Sequence, residues 1–164
     1  MLKLRKNKKG FTLVELIVVI AIMAVLAGVV AGVTVSQLNK QTDKTGQSQA
    51  NTIAQFLSQC ALSGEGDEKI TEDSEDSTTH VITTTFDEDA LSELIEKQYS
   101  SASITVGADG GRGTVKVSIV STEGDNKGKI EVYYQGKQSG NKGDITYYVA
   151  VDGTVTKVTP TTGG

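Results

Sequence analysis

Few side chains in this sequence could carry covalent chemistry. The one cysteine, Cys60, and the one histidine, His80, stand apart from any Ser/His/Asp or Cys/His arrangement, so nucleophilic catalysis has little to build on. Cys60 falls on the apolar stripe Ile53, Phe56, Leu57, Cys60 and reads as a buried small hydrophobe. A lone cysteine also forms no intrachain disulfide. His80 by itself builds no metal cluster and reads as a solvent-facing residue at a strand edge. The glycine-rich stretch Gly107-Ala108-Asp109-Gly110-Gly111-Arg112-Gly113 has neither the lysine and hydroxyl of a phosphate-binding loop nor a dinucleotide-binding spacing. The acidic run 64–80 lacks the positional pattern of a calcium loop and reads as a solvated loop. The expectation is a protein with no catalytic residue, no cofactor and no metal site.

One ionisable residue does stand out. The run Phe11–Val35 is broken only by Thr12, Glu15 and Thr34, and every residue from Leu16 to Val33 is apolar or glycine. A helix of about 25 residues rises roughly 37 Å, enough to cross a hydrocarbon layer of about 30 Å. The apolar run is too long for the core of an ordinary cleaved signal peptide. A carboxylate inside such a segment costs several kcal/mol unless it is paired or close to the interface. Taken alone, Glu15 reads as a residue reaching back to the headgroups and favouring the positive end of the helix dipole.

Charge is distributed unevenly around this segment. The formal net charge is −4, yet Lys3, Arg5, Lys6, Lys8 and Lys9 all precede Gly10, so without those five residues the chain carries −9. The basic cluster before the apolar run is expected to stay cytoplasmic, which puts everything after Val35 outside. The acidic remainder offers no nucleic-acid site, because phosphate neutralisation needs clustered Lys and Arg.

The junction reads Lys8-Lys9-Gly10-Phe11-Thr12-Leu13-Val14-Glu15-Leu16. Here the sequence resembles the type IV pilin and pseudopilin superfamily, whose precursors carry a short basic leader, a glycine at the cut, an aromatic first mature residue and a glutamate fifth from it. The resemblance covers residues 1 to about 36. It implies cleavage between Gly10 and Phe11 by a membrane-embedded prepilin peptidase, N-methylation of Phe11, and polymerisation through the helix with the help of an assembly platform and an ATPase. It also implies a second role for Glu15, pairing with the new α-amino group on Phe11 of a neighbouring subunit, while Leu13, Leu16, Ile17 and their neighbours exchange lipid for other helices. The disulfide-free design and short basic leader resemble Gram-positive members. Many relatives carry proline at the position of Gly32. Here Gly28 and Gly32 leave two alternatives, a local loss of helix or a straight helix packed closely through its glycines.

After Val35 the helical pattern continues through Leu38, Thr42, Ile53, Phe56, Leu57 and Cys60 to Ser63-Gly64. One helix is predicted from about 11 to 62, roughly 78 Å long at 1.5 Å per residue. Asp87 should cap a short helix over 87–98, with Phe86 and Leu91 stapling the cap. Strands are predicted at 81–86, 104–106, 115–120, 130–135, 145–151 and 154–158, with a tight turn at Asp152-Gly153. The loops 107–113, 121–129 and 136–144 read as surface connections. The adjacent pairs Tyr133, Tyr134 and Tyr147, Tyr148 put one ring of each on either sheet face.

The fold class expected is α+β, a long N-terminal helix packed on a C-terminal antiparallel sheet, pilin-like. Residues 1–10 form a leader, 11–35 the membrane and filament-core half of the helix, and 36–164 a globular domain. Two functional classes follow: a filament subunit, whether pilin or pseudopilin, and a monomeric membrane-anchored binding module.

Overall fold

The computed structural model describes residues 10–64, 66–99 and 103–159, apart from the side chains of Ser63 and Asp67. The fold is α+β. Contacts divide the chain into two compact units, residues 1–38 and 39–164. In the first unit the described structure is a short non-helical start and helix α1, which spans Leu13–Ser63 and continues into the second unit.

In the second unit, α1 buries Asp43, Gly46, Ala50, Ile53, Leu57 and Cys60. These alternate three and four apart, which places them on one face of a helix. Two sheets follow. A hairpin pairs β1 (Thr71–Glu75) with β2 (Ile82–Phe86), and helix α2 (Glu88–Gln98) comes next. Five strands then form one sheet in sequential order: β3 (Ile104–Val106), β4 (Val115–Ile119), β5 (Ile130–Tyr134), β6 (Ile145–Val149) and β7 (Val155–Val158). One face of this sheet supplies Val115, Val117, Ile130, Val132, Tyr134, Ile145, Tyr147 and Val149 to the same core as α1. Tyr133 and Tyr148 lie on the other face, so each tyrosine pair divides as its alternation predicts.

The sheet is mixed, not wholly antiparallel. β3 runs parallel to β4, with Ile104 opposite Val115. A parallel pair ordinarily needs a crossover of a dozen residues or more. The connection here is the short loop 107–114, in which Gly107, Gly111 and Gly113 all have φ between 70° and 88°. Those left-handed conformations, open to glycine without strain, fold the chain back so that Gly107 N–H donates to Val117 O and Val115 N–H to Ser103 O. The antiparallel pairing expected from the sequence holds from β4 to β7 and fails at β3–β4.

The acidic segment 64–80 is not a loop throughout. Ile70 is fully buried and Thr71–Glu75 forms β1, in which Glu72 and Asp73 lie opposite Thr85 and Thr84 of β2. Thr84 Oγ1 donates to Asp73 Oδ1 at 2.7 Å. Asp76 turns the hairpin, its Oδ1 accepting from the N–H groups of Thr78 (2.8 Å) and Thr79 (2.7 Å). Both faces are wet over most of its length, so no apolar alternation marks the strand in the sequence.

Asp87 caps α2 as predicted, Oδ1 accepting from Asp89 N–H and Ala90 N–H, with Phe86 and Leu91 buried on either side. Asp87→Ala is expected to cost about 1 kcal/mol of unfolding free energy, measured by urea denaturation of the full chain in detergent.

The ends of loop 136–144 are likewise not surface. Gly136, Gly143 and Asp144 are buried, and so is Asp43 of α1, at 1% exposure. Asp43 accepts from Tyr134 Oη (3.0 Å), Lys137 N–H (2.7 Å), Gln138 N–H (3.3 Å) and Gln138 Nε2 (2.8 Å). Asp144 accepts from Tyr133 Oη (2.6 Å) and Gly136 N–H (2.7 Å). Gly46 permits the arrangement, because a Cβ there would overlap the Tyr134 ring.

Candidate functional site

The start of α1 has a defined cap. Thr12 precedes the first helical residue, and its carbonyl accepts from Leu16 N–H at 3.2 Å. Thr12 Oγ1 accepts from Glu15 N–H at 3.3 Å, while Glu15 Oε2 accepts from both Thr12 N–H and Thr12 Oγ1 at 2.8 Å. These reciprocal bonds form a capping box: each side chain satisfies a backbone donor that the helix leaves orphaned. Gly10 and Phe11 lie before the helix, and Phe11 is 91% exposed. The box assigns Glu15 a bond within its own chain that neither sequence-level reading included. The Thr-x-x-Glu spacing ahead of an apolar run was the signal for it, and Thr12 is the site residue that the sequence reading passed over.

From Leu13 to Val35 every apolar side chain of α1 faces outward without cover. Leu13, Leu16 and Ile17 are 74%, 61% and 51% exposed. The mean hydropathy reaches 3.0 over 18 residues, long and apolar enough to cross a membrane. Such a surface in water would be an aggregation liability, so it demands lipid or other helices. The helix runs unbroken through Gly28 and Gly32, and a Cβ at either would meet open space. Their spacing of four puts both on one side of the helix. The leader charges Lys3, Arg5, Lys6, Lys8 and Lys9 lie outside the described residues.

Residues 5–31 match the prokaryotic N-terminal methylation motif. The motif is characteristic of type IV pilins and pseudopilins, and it supports a pilin-like or pseudopilin precursor. That motif marks structural, pilin-type proteins and implies processing by prepilin peptidase followed by assembly into filaments. No curated protein and no solved structure matches the chain.

Elsewhere in the described residues, the side chains that could do other chemistry are placed in structural settings. Cys60 is buried in the core, and burial, followed by the nearby Glu68 carboxylate, pushes its thiol above the ordinary range, away from the reactive thiolate. His80 sits exposed at the turn of the β1–β2 hairpin with φ 53°, its Nδ1 2.8 Å from Glu75 Oε1. Among the described residues no three of His, Cys, Asp and Glu are grouped to hold a metal ion.

Proposed function

We propose that this chain is the structural subunit of a type IV filament, serving adhesion, motility or DNA uptake. The observation that carries the reading is the methylation motif running directly into an uncovered apolar helix with a single carboxylate, Glu15, near its start. Before assembly the helix anchors the precursor in the cell membrane with its N-terminus cytoplasmic; afterwards the domain is displayed on a surface filament. Prepilin peptidase hydrolyses the Gly10–Phe11 bond and Phe11 is N-methylated. That cut discards Lys3, Arg5, Lys6, Lys8 and Lys9 but keeps the whole apolar segment. It also creates a cation on Phe11, four residues before Glu15.

In the fibre, Glu15 of one subunit pairs with that ammonium on its neighbour. The attraction strengthens as water leaves, so correct docking neutralises two charges that would each be costly alone. Leu13, Leu16 and Ile17 exchange lipid for neighbouring helices at little net cost, which makes extraction from the bilayer feasible. Force for extraction comes from an assembly platform and its ATPase.

The test is the N-terminal mass of the protein in fibres sheared from cells co-expressing the chain with a prepilin peptidase. The expected species begins at N-methylated Phe11. An intact leader on a membrane-held monomer would transfer the reading to an anchored binding module. Pseudopilins share the motif, and the yield of long sheared fibre per cell separates a shaft subunit from one of them.

A further inference from the structure

The scissile bond and the helix cap are two residues apart, and that proximity has a chemical consequence. Hydrolysis adds one water across Gly10–Phe11, leaving a carboxylate on Gly10 and an amine on Phe11. A peptidase must reach that carbonyl and seat the flanking residues in its cleft. A peptide bond inside a helix resists this, because its N–H and C=O are engaged in the helical ladder and neighbouring side chains wrap it. Among the residues around the bond, Lys8, Lys9 and Leu13 are good helix formers, while Gly10 opposes the helix by about 1 kcal/mol. A second stop of similar size is Thr12, whose hydroxyl takes Glu15 N–H while Glu15 Oε2 takes Thr12 N–H.

We propose that the Thr12–Glu15 capping box ends α1 just downstream of the cleavage site and that Thr12 is a positioning residue for prepilin processing, holding Gly10–Phe11 unwound for the peptidase. The inference rests on the processing reading above and goes beyond it: the motif places the cut, whereas the capping box makes the bond available. Phe11 at 91% exposure and open space around Gly10 fit a segment presented to a protein cleft. Thr12 touches no reacting atom, and acts through the conformation of the bond just before it.

The test uses the full-length precursor in membrane vesicles with purified prepilin peptidase, comparing Thr12→Val, which keeps the branched shape but loses the hydroxyl, with Thr12→Ser, which keeps it. Loss of a cap of this kind shifts the helix-end equilibrium by about five-fold, which sets the ceiling on the expected fall in kcat/KM for Thr12→Val. The loss should fall on KM with kcat unchanged, since only the fraction of precursor in the unwound form binds. Thr12→Ser should be cut like wild type. The Cα chemical shifts of Gly10 and Phe11 should move toward helix in Thr12→Val alone. Equal kcat/KM for Thr12→Val and wild type, or equal slowing of both variants, would overturn the positioning role. Wild-type precursor left uncut between Gly10 and Phe11 would overturn the processing reading and this inference with it.

Discussion

Asp43→Ala is expected to lower the unfolding free energy by about 3–5 kcal/mol, read from urea denaturation of the full chain in detergent. Asp43 is the buried carboxylate through which α1 holds the loop after β5, and its removal strands the Tyr134 hydroxyl, the Lys137 N–H and the Gln138 donors without an acceptor. Asp43→Asn, nearly isosteric, replaces an acceptor oxygen with donors aimed at donors and should still cost about 2 kcal/mol. Burial raises the carboxyl's pKa, but hydrogen bonds from Lys137, Gln138 and Tyr134 outweigh it and hold the group below its ordinary value. A depressed folded pKa stabilises the protein above the unfolded value of about 3.9, and that stability drains away as pH falls below it. Asp76 and Asp152, also depressed by hydrogen bonds from backbone N–H groups, contribute with the same sign. The Asp43 share is therefore the difference between wild type and Asp43→Asn across pH 5 to about 2. An unchanged acid slope in the variant would show that the carboxylate is not what ties α1 to the loop.

Legibility in the sequence followed the physics of each signal. The strands β4, β5 and β6 bury one face and leave the other partly open, so Val115, Val117, Ile130, Val132 and Tyr134 alternate and announce themselves. β1 buries almost nothing; its acidic residues carry no alternation, and the strand exists because β2 offers it a partner. The parallel join of β3 to β4 depends on three backbone conformations in one loop, which composition suggests only as flexibility. Asp43 sits on the same three-and-four rhythm as Ile53 and Cys60, yet a charged residue is scored against the buried face by any rule based on hydropathy. Its donors come from residues more than ninety positions away, which local pattern cannot supply. At the N-terminus the reverse held. The motif that holds Gly10, Phe11 and Glu15 is local in sequence and so was readable, and the Thr12-x-x-Glu15 capping spacing is equally local.

That duality in Glu15 makes the second large effect separable from the first. The glutamate both caps its own helix through Thr12 and, in the proposed fibre, faces the neighbouring Phe11 ammonium. Glutamine serves the cap, since its side-chain oxygen accepts the Thr12 N–H as a carboxylate does, but it carries no charge. Glu15→Gln precursor should therefore be cut at the wild-type rate yet fail in assembly. An intramembrane ammonium left without its counter-charge costs roughly 3 kcal/mol, and each tenfold corresponds to 1.36 kcal/mol. In cells expressing wild type and variant equally, Glu15→Gln is expected to be depleted from sheared fibres about a hundred-fold, and Glu15→Ala to be depleted similarly while also being cut more slowly. Quantitative mass spectrometry of the Phe11-starting peptide, in fibres and in membranes, reads both steps at once. Equal incorporation of Glu15→Gln and wild type would mean that the carboxylate is retained for its cap alone and that register in the fibre is set by the apolar surface of Leu13, Leu16 and Ile17. Depletion of Glu15→Gln with normal cleavage would assign the charge to the neighbouring subunit and the hydrogen bonds to the helix end, two demands on one side chain that occupy different stages of its life.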